Sequence, residues 1–188
     1  GWQRTRGLRI LGGGRNFTLD WPESATFPAY GMVRTRRQLD HALAQHAVAR
    51  GARLREATSV TAPLFDGRGR VVGVSAKVLD EAGRPTGHSV NYRAKVVVAA
   101  DGVSSRLATA VGRPKREDRV MGVAVRAYYT TPRRDDYLES HLELWTTDDN
   151  GARILMPGYG WLFPLEDGRT NVGLGILDTS SAFGKTDY

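Results

Sequence analysis

The sequence contains no cysteine among its 188 residues. This absence excludes disulfide bridges, thiolate metal ligands and thiol nucleophiles. The four histidines lack the spacing of metal ligands, so the sequence predicts no metal site. They are His41, His46, His88 and His141.

Long hydrophobic runs are also missing. The longest, residues 96–100 and 120–125, are far shorter than the roughly 20 residues of a membrane-spanning helix. No basic segment followed by an apolar stretch resembles a secretion signal. From these absences and from the family resemblance described below, we expect a cytoplasmic protein, with peripheral contact to the inner face of the membrane as an open alternative.

Positive charge is concentrated in the first third of the chain. The whole sequence carries 27 Lys and Arg against 20 Asp and Glu, and residues 1–60 alone hold ten Arg against four acids. There is no helix-turn-helix, no zinc-finger spacing and no basic stripe with interleaved aromatics. We therefore predict no nucleic-acid partner. Contact between the basic first third and anionic lipid headgroups is a hypothesis.

Patterns along the chain predict an α+β fold. A hairpin is expected with its tip at Gly12–Gly14, between strands at Leu8–Ile10 and 17–21. A helix is expected to begin after its N-cap, Thr35, and to end at Gly51. The predicted apolar stripe of this helix consists of Leu39, Ala42, Leu43, His46 and Ala47. Strands at 59–62, 71–78 and 89–92 form a meander, and 95–100 reads as a strand buried on both faces. A short helix over 104–111 follows. The C-terminal strands, at 121–131, 138–146, 153–156, 159–163 and 170–177, predict a mostly antiparallel sheet.

Three arginines surround the start of the first helix. Arg34, Arg36 and Arg37 oppose the helix dipole, which favours anions at that end. Backbone N–H groups and guanidinium forks together suit a phosphate. The alternative is that these side chains simply extend into water.

Asp101 and Gly102 follow the predicted buried strand. A carboxylate at the carboxyl end of such a strand lies where open α/β sheets bind ligands, and it can accept hydrogen bonds from ribose or ribityl hydroxyls. Gly102 allows a bulky group close to the backbone, and Ser105 offers a hydroxyl. The alternative is that these residues are only a turn and a helix cap.

Residues 157–164 form an unusual strand sequence, Pro-Gly-Tyr-Gly-Trp-Leu-Phe-Pro. In an extended chain, Tyr159, Trp161 and Phe163 share one face, and Gly158 and Gly160 leave the other nearly bare. In 170–177, Asn171, Gly173 and Gly175 share a face. An aromatic wall beside a glycine floor suits a flat ring or a hydrocarbon chain. The alternative is that the aromatic side chains form core.

Together these three segments resemble the geranylgeranyl reductase family, which includes menaquinone side-chain reductases, on the p-hydroxybenzoate hydroxylase fold. The segment 36–43 resembles the family's Arg-x-x-(Phe/Leu)-Asp-x-x-Leu element, and 101–105 its Asp-Gly-x-x-Ser motif. The segment 157–164 is similar to the Pro-x-Tyr-x-Trp-x-Phe-Pro signature. The likeness runs from about Gly7 to Leu177.

The resemblance implies roles for individual residues. Arg36, Asp101, Gly102 and Ser105 would bind FAD. Tyr159 would be a candidate proton source in catalysis. The substrate-binding residues would be Pro157, Tyr159, Trp161, Phe163 and Pro164.

The resemblance also implies a domain plan. Residues 1–34 would be a first excursion of the substrate lobe, 35–119 part of the FAD-binding lobe, and 120–188 the substrate-lobe sheet. The family's Gly-x-Gly-x-x-Gly and later Gly-Asp motifs do not occur here. We therefore expect a central fragment of a longer enzyme, inactive by itself.

The activity implied is FAD-dependent reduction of isoprenoid double bonds, with NAD(P)H as a candidate electron donor and a hydrophobic isoprenoid or quinone as substrate. One alternative is a flavin-dependent monooxygenase or halogenase acting on an aromatic substrate. Another is a degenerate binding domain that retained the fold and lost the cofactor.

Overall fold

The structure, a computed structural model, describes residues 1–114, 116, 118–179 and 183. The chain divides into two compact units. The first comprises residues 1–45 and 119–188, and the second comprises residues 46–118. The strands of the first unit are β1 (Gln3–Thr5), β2 (Gly7–Gly12), β3 (Arg15–Asp20), β4 (Gly31–Val33), β8 (Gly122–Thr130), β9 (Tyr137–His141), β10 (Leu144–Thr147), β11 (Arg153–Met156), β12 (Gly158–Pro164) and β13 (Arg169–Leu177). The other elements are α1 (Arg36–Ala49), β5 (Thr58–Phe65), β6 (Val71–Leu79), β7 (Pro85–Arg93) and α2 (Arg106–Ala110).

A six-stranded sheet dominates the first unit, in the order β3-β2-β9-β12-β13-β8. Its neighbouring strands are antiparallel, except that β2 pairs with β9 in parallel. Two further pairs, β1 with β4 and β10 with β11, form small antiparallel sheets. The predicted α+β fold with a mostly antiparallel sheet is confirmed.

The hairpin between β2 and β3 turns where the glycine triplet predicts it. Gly13 and Gly14 have φ angles of 59° and 68°, and Gly12 pairs with Arg15 across the turn. A two-residue turn with positive φ at both positions matches the twist of antiparallel strands, and glycine adopts it without steric cost.

The core of the first unit lies on one face of this sheet. Ile176 and Met156 are buried, and Leu144 and Phe183 pack against them. Gly160 is buried on the same face, and a Cβ placed on it would lie 3.4 Å from Cδ2 of Leu144. The prediction of a nearly bare face at Gly158 and Gly160 is therefore wrong, because the missing side chains let Leu144 of β10 pack closely there.

The second unit contains the predicted meander. β5, β6 and β7 pair in order and antiparallel, and α2 lies against β5. The strand predicted at 95–100 is absent: the structure assigns no strand there, and Val96 and Val98 are 76% and 79% exposed. An apolar run indicates a buried strand only if neighbouring strands hydrogen-bond to it, and no described strand pairs with this segment.

Helix α1 begins and ends as predicted. The Thr35 hydroxyl accepts a hydrogen bond from the Gln38 N–H (3.4 Å) and donates to Gln38 Oε1 (3.0 Å). At the other end, Gly51 has a φ of 96°, a left-handed conformation common after helices. The predicted burial of its apolar stripe is wrong: no residue of α1 is buried, and Leu43 is 60% exposed. The periodic pattern indicates which face of the helix is apolar, but it does not show whether another element packs against that face.

The predicted strand over 138–146 is two strands. β9 ends at His141 and β10 begins at Leu144. β9 stays in the six-stranded sheet, whereas β10 pairs with β11. The turn at 148–151, which the sequence predicts, closes this second hairpin with hydrogen bonds from Asn150 N and Ala152 N to the Asp148 carboxylate.

Candidate functional site

The three aromatic side chains of β12 lie in a row on one face of the sheet. The ring centroids of Tyr159 and Trp161 are 5.7 Å apart at a tilt of 48°, and those of Trp161 and Phe163 are 6.1 Å apart and stacked at 27°. These are favourable distances for aromatic pairs. The predicted sharing of a face by Tyr159, Trp161 and Phe163 is therefore confirmed.

The residues opposite this row, on β13, make its floor. Tyr159 pairs with Gly175, Trp161 with Gly173, and Phe163 with Asn171. Directly opposed residues of an antiparallel pair point to the same face, so the aromatic row and the glycine floor belong to one surface. We call this surface the aromatic face.

The aromatic row is more exposed than the opposite face of the sheet. Tyr159 is 45% exposed, whereas Ile176, on the opposite face of the neighbouring strand, is 1% exposed. Trp161 and Phe163 are half-buried. In the described part of the chain these aromatics border the surface, and the core is on the other side.

The aromatic face continues across the sheet toward β3. Trp161 pairs with Ser140, Ser140 with Ile10, and Ile10 with Phe17, so all four lie on one face. Phe17 is 59% exposed. In the other direction, Arg126 of β8 pairs with Gly173 and lies on the same face. The face therefore combines apolar side chains with a few polar ones, as ligand-binding surfaces do.

Pro157 and Pro164 mark the two ends of β12. The Pro157 carbonyl accepts a hydrogen bond from Leu177 N (2.9 Å), and Pro164 pairs with Thr170. Proline lacks an N–H and fixes φ, so both residues limit the strand. They frame the aromatic row in sequence, while Tyr159, Trp161 and Phe163 form its surface.

Tyr128 of β8 extends the aromatic face, a position the sequence analysis did not single out. It pairs with Asn171, and the Arg169 guanidinium lies 5.4 Å from its ring centroid. The pairing register of β8 with β13 identifies it, and sequence alone does not give that register.

Arg36 lies in the first turn of α1, with an exposed side chain. Its Nε and Nη2 donate to the two carboxylate oxygens of Asp40, both at 3.1 Å. These bonds, followed by the charge of Asp40, raise the pKa of Arg36 above its ordinary value. The Arg36 side chain is 61% exposed, so the guanidinium edge that does not face Asp40 is accessible to an anionic group.

Asp101, Gly102 and Ser105 form one local structure at the start of α2. The Ser105 hydroxyl donates to Asp101 Oδ1 and accepts from Ala108 N (2.9 Å), so Ser105 is the N-cap. The Ser105 hydrogen bond lowers the pKa of the Asp101 carboxyl. Gly102 has a φ of 88° and open space where a Cβ would stand. An exposed carboxylate beside a bare backbone fits the hydroxyls of a ribityl or ribose chain.

A charged cluster lies on the core side of the sheet, opposite the aromatic face. The Glu139 side chain is 7% exposed and receives hydrogen bonds from Arg9 (3.1 Å), Arg133 (2.5 Å) and His141 (2.9 Å). Asp135 bonds to the same two arginines, at 2.5 and 2.7 Å. Burial alone favours the neutral acid, but these donors outweigh it and hold the pKa of Glu139 below its ordinary value.

A cleft of about 320 Å³ lies near this cluster, and most of its lining residues are charged, including Arg133, Arg134, Asp135 and Arg169. Such a lining does not suit a hydrocarbon ligand, whereas the aromatic face does.

Among the described residues there is no group of three or more acids and histidines placed to hold a metal ion, and no helix there is long and apolar enough to cross a membrane.

The chain belongs to the FAD dependent oxidoreductase family, which matches residues 5–185. It is 39% identical over 178 residues to a menaquinone reductase from Mycobacterium tuberculosis, a match covering 94% of this chain and 40% of that protein. It is 31% identical over 157 residues to a digeranylgeranylglycerophospholipid reductase from Methanocella arvoryzae, covering 78% of this chain and 34% of the relative. The chain thus spans roughly two fifths or less of the length of these relatives.

The fold agrees with that of a solved structure. The crystal structure of a geranylgeranyl bacteriochlorophyll reductase-like protein from Thermoplasma acidophilum matches with a TM-score of 0.68 at 24% identity, over 93% of this chain and 40% of that one. The predicted flavoprotein fold and the resemblance to the prenyl reductases are confirmed at this level.

Proposed function

We propose that the protein containing this chain reduces isoprenoid double bonds with FAD, on a menaquinone side chain or a geranylgeranyl lipid. The observation that supports this most directly is the aromatic face: three aromatic side chains and a glycine floor, uncovered by the described core. A hydrocarbon chain needs apolar contact area rather than charged recognition, and this surface offers that area. The named activities of the relatives support the same substrate class.

FAD, when bound and reduced, would supply a hydride to one carbon of the alkene. The chain's own residues would do the rest. Arg36 would face an anionic part of the cofactor, Asp101 would accept hydrogen bonds from its hydroxyls, and Gly102 and Ser105 would shape the backbone beside it. The exposed Asp101 carboxylate, the open space at Gly102 and the exposed Arg36 guanidinium are compatible with such a group.

On the substrate side, Trp161 and Phe163 would hold the alkene in place and exclude water. Pro157 and Pro164 would limit the strand that carries the aromatic row. The Tyr159 Oη would deliver the proton to the second carbon. One hydride and one proton convert C=C into HC–CH, so no further reactant is needed. NAD(P)H would be the donor that re-reduces the cofactor. The basic first third would bring the protein to an anionic membrane surface, where such substrates reside.

The test uses the whole protein, loaded with FAD and reduced anaerobically with dithionite. With a geranylgeranyl lipid, we expect re-oxidation of the flavin and a product heavier by two hydrogens for each bond reduced. With menaquinone, the headgroup is re-oxidised in air before the mass is measured, and the quinone should then be heavier by two hydrogens for each side-chain bond reduced. If no double bond is saturated while an aromatic ring is hydroxylated under oxygen, the protein is a monooxygenase. If the purified protein binds no FAD at all, it is a binding domain.

A further inference from the structure

A cleft of about 320 Å³ opens where the loop before β9 meets the turn between β12 and β13. The charged residues that line it are Arg133, Arg134, Asp135, Asp136 and Arg169. We call this space the arginine cleft. Pro164 and Leu165, at the end of β12 and just after it, line the cleft as well, so an apolar edge lies beside the charged groups.

One positive charge at the arginine cleft has no internal partner. The ion pairs at the cleft and at the neighbouring turn are Asp135 with Arg9 and Arg133, Asp136 with Arg6, and Asp167 with Arg169. Arg134 forms no ion pair with any residue that the structure describes. A guanidinium without a carboxylate partner can bind an anionic ligand, and its planar fork of donors matches two oxygens of a phosphate.

The Arg134 side chain is exposed but held in place. A Cβ placed on Gly168 would lie 2.8 Å from Arg134 Nη1 and 3.2 Å from Nη2, so the guanidinium rests on the Gly168 backbone. Gly168 is buried and has a φ of 84°, a conformation that favours glycine. Because glycine has no side chain, Arg134 reaches across the cleft to the turn before β13. An arginine that simply extended into water would not cover this turn.

The arginine cleft begins where the aromatic row ends. Asn171 is opposite Phe163 in the register of β12 with β13. Arg169 is two residues from Asn171, so it lies on the same face and is the diagonal neighbour of Phe163, at about 7–8 Å. Its guanidinium lies 5.4 Å from the ring centroid of Tyr128, which also belongs to this face. An amphiphilic molecule on the aromatic face could therefore place its polar end in the cleft.

From this arrangement we infer that the arginine cleft binds a phosphate group, and that this phosphate is the polar end of an isoprenoid lipid whose chain lies along the aromatic face. Arg134 would bind the phosphate oxygens. Arg169 would add a donor, since its Nε and Nη2 bond to Asp167 and its Nη1 makes no hydrogen bond in the described part of the chain. This inference rests on the proposed function and adds to it the headgroup that the protein recognises.

Geranylgeranyl phosphate and geranylgeraniol form the test pair, because they share one hydrocarbon chain and differ only in the phosphate. Binding of each to the whole protein, with its FAD left oxidised, is measured by equilibrium dialysis at low ionic strength. We expect the wild type to bind the phosphate about 10-fold or more tightly than the alcohol, because hydrogen bonds between charged groups are stronger than neutral ones.

Arg134→Gln should remove this preference and leave the binding of geranylgeraniol unchanged. Arg134→Lys should retain part of it, since lysine keeps the charge but lacks the planar fork. Arg68→Gln is the matched control: Arg68 is an exposed arginine of the β5–β6 turn, and its replacement removes the same charge away from the cleft. This control should keep the full preference. Urea midpoints of the three variants check that the fold is retained.

Inorganic phosphate distinguishes a lipid-borne phosphate from a free one. If inorganic phosphate binds in an Arg134-dependent manner while the wild type does not prefer geranylgeranyl phosphate to the alcohol, the cleft binds a free anion and its assignment to a lipid is wrong. If Arg134→Gln and Arg68→Gln bind geranylgeranyl phosphate equally well, the cleft is not the phosphate site. If geranylgeranyl phosphate binds in an Arg134-dependent manner but neither lipid is reduced, the proposed function fails while the phosphate site stands.

Discussion

At the scale of the residue, Glu139 carries the most demanding electrostatics in the described structure. Its side chain is 7% exposed, while those of Arg9 and Arg133 are 24% and 45% exposed. A buried carboxylate is tolerated because its hydrogen-bond partners compensate for lost water, and removal of one partner leaves the others uncompensated. The cluster joins β2 to β9 and to the segment before β9; Arg9 and Asp135 are 126 residues apart in sequence.

We predict that Glu139→Gln lowers the free energy of unfolding by about 2 kcal/mol, less than the ~3–5 kcal/mol of a fully buried pair, because both arginines reach solvent. Asp167→Asn is the matched control, since Asp167 pairs with Arg169 at the exposed surface; it should cost no more than about 1 kcal/mol. Urea denaturation measures both. Equal losses in the two variants would contradict a special role for the buried cluster.

The same cluster predicts how stability depends on pH. The pKa of Glu139 is lowered from an ordinary value of 4.5, and that of Asp135 is lowered from 3.8. A carboxyl whose pKa is lower in the folded than in the unfolded state stabilises the protein when the pH is above the unfolded-state pKa. This contribution is lost as the pH falls through the folded-state pKa. Urea midpoints should therefore decline below about pH 4.5, with a shallower decline in Glu139→Gln. Parallel profiles would exclude Glu139 as the titrating group.

At the scale of the element, the β2–β3 hairpin depends on its two-residue turn. Gly14→Ala should destabilise the protein by about 1 kcal/mol, because alanine at a positive φ is strained. Gly13→Asn should be nearly neutral, since asparagine tolerates this conformation and Asn-Gly is a preferred sequence for such turns. Thermal unfolding of both variants measures the difference. If Gly14→Ala is as stable as Gly13→Asn, the turn does not have the backbone geometry described.

Sequence predicted those elements whose signals are local. The glycines of the β2–β3 turn, the Thr35–Gln38 cap of α1 and the alternation in β12 each act within a few residues, and all three are present. Two expectations depended on distant partners and failed: the strand at 95–100 has no paired neighbour among the described strands, and the stripe containing Leu43 is exposed.

Part of the candidate site could likewise be predicted from the sequence. Alternation placed Tyr159, Trp161 and Phe163 on one face, and it grouped Asn171 with Gly173 and Gly175. It could not show that Trp161 lies over Gly173 and not over Gly175, because that depends on the register of β12 with β13 and on a side-chain rotamer. The cofactor roles of Arg36, Asp101, Gly102 and Ser105 remain predictions.

At the scale of the whole molecule, charge is unevenly distributed. The net charge is +7, and residues 1–60 hold ten Arg against four acids. Exposed arginines attract anionic headgroups at long range only at low salt, because the screening length is about 10 Å at 0.1 M and about 3 Å at 1 M. A basic first third would therefore give salt-sensitive binding to an anionic bilayer.

We expect the protein to float with phosphatidylglycerol vesicles at about 0.05 M salt, to be released by about 0.5 M, and to ignore phosphatidylcholine vesicles. Replacing the exposed Arg50, Arg53 and Arg55 by Gln should weaken this binding. A control with Gln at Arg68, Lys77 and Arg93, exposed bases outside the first third, should weaken it less. Binding that is equal in both triple variants would reject the first third as the contact surface.

The central claim is that the aromatic face is a substrate surface and not core, and Trp161→Ala tests it most directly. The measurement is the rate at which the reduced, anaerobic whole protein saturates the double bonds of a geranylgeranyl lipid, followed by the mass of the product, beside urea denaturation of the same sample. We predict a loss of turnover of about 100-fold with a loss of stability below about 2 kcal/mol, since a fully buried tryptophan would cost ~3–5 kcal/mol. A strongly destabilised variant with turnover intact would show that Trp161 is core and contradict the account.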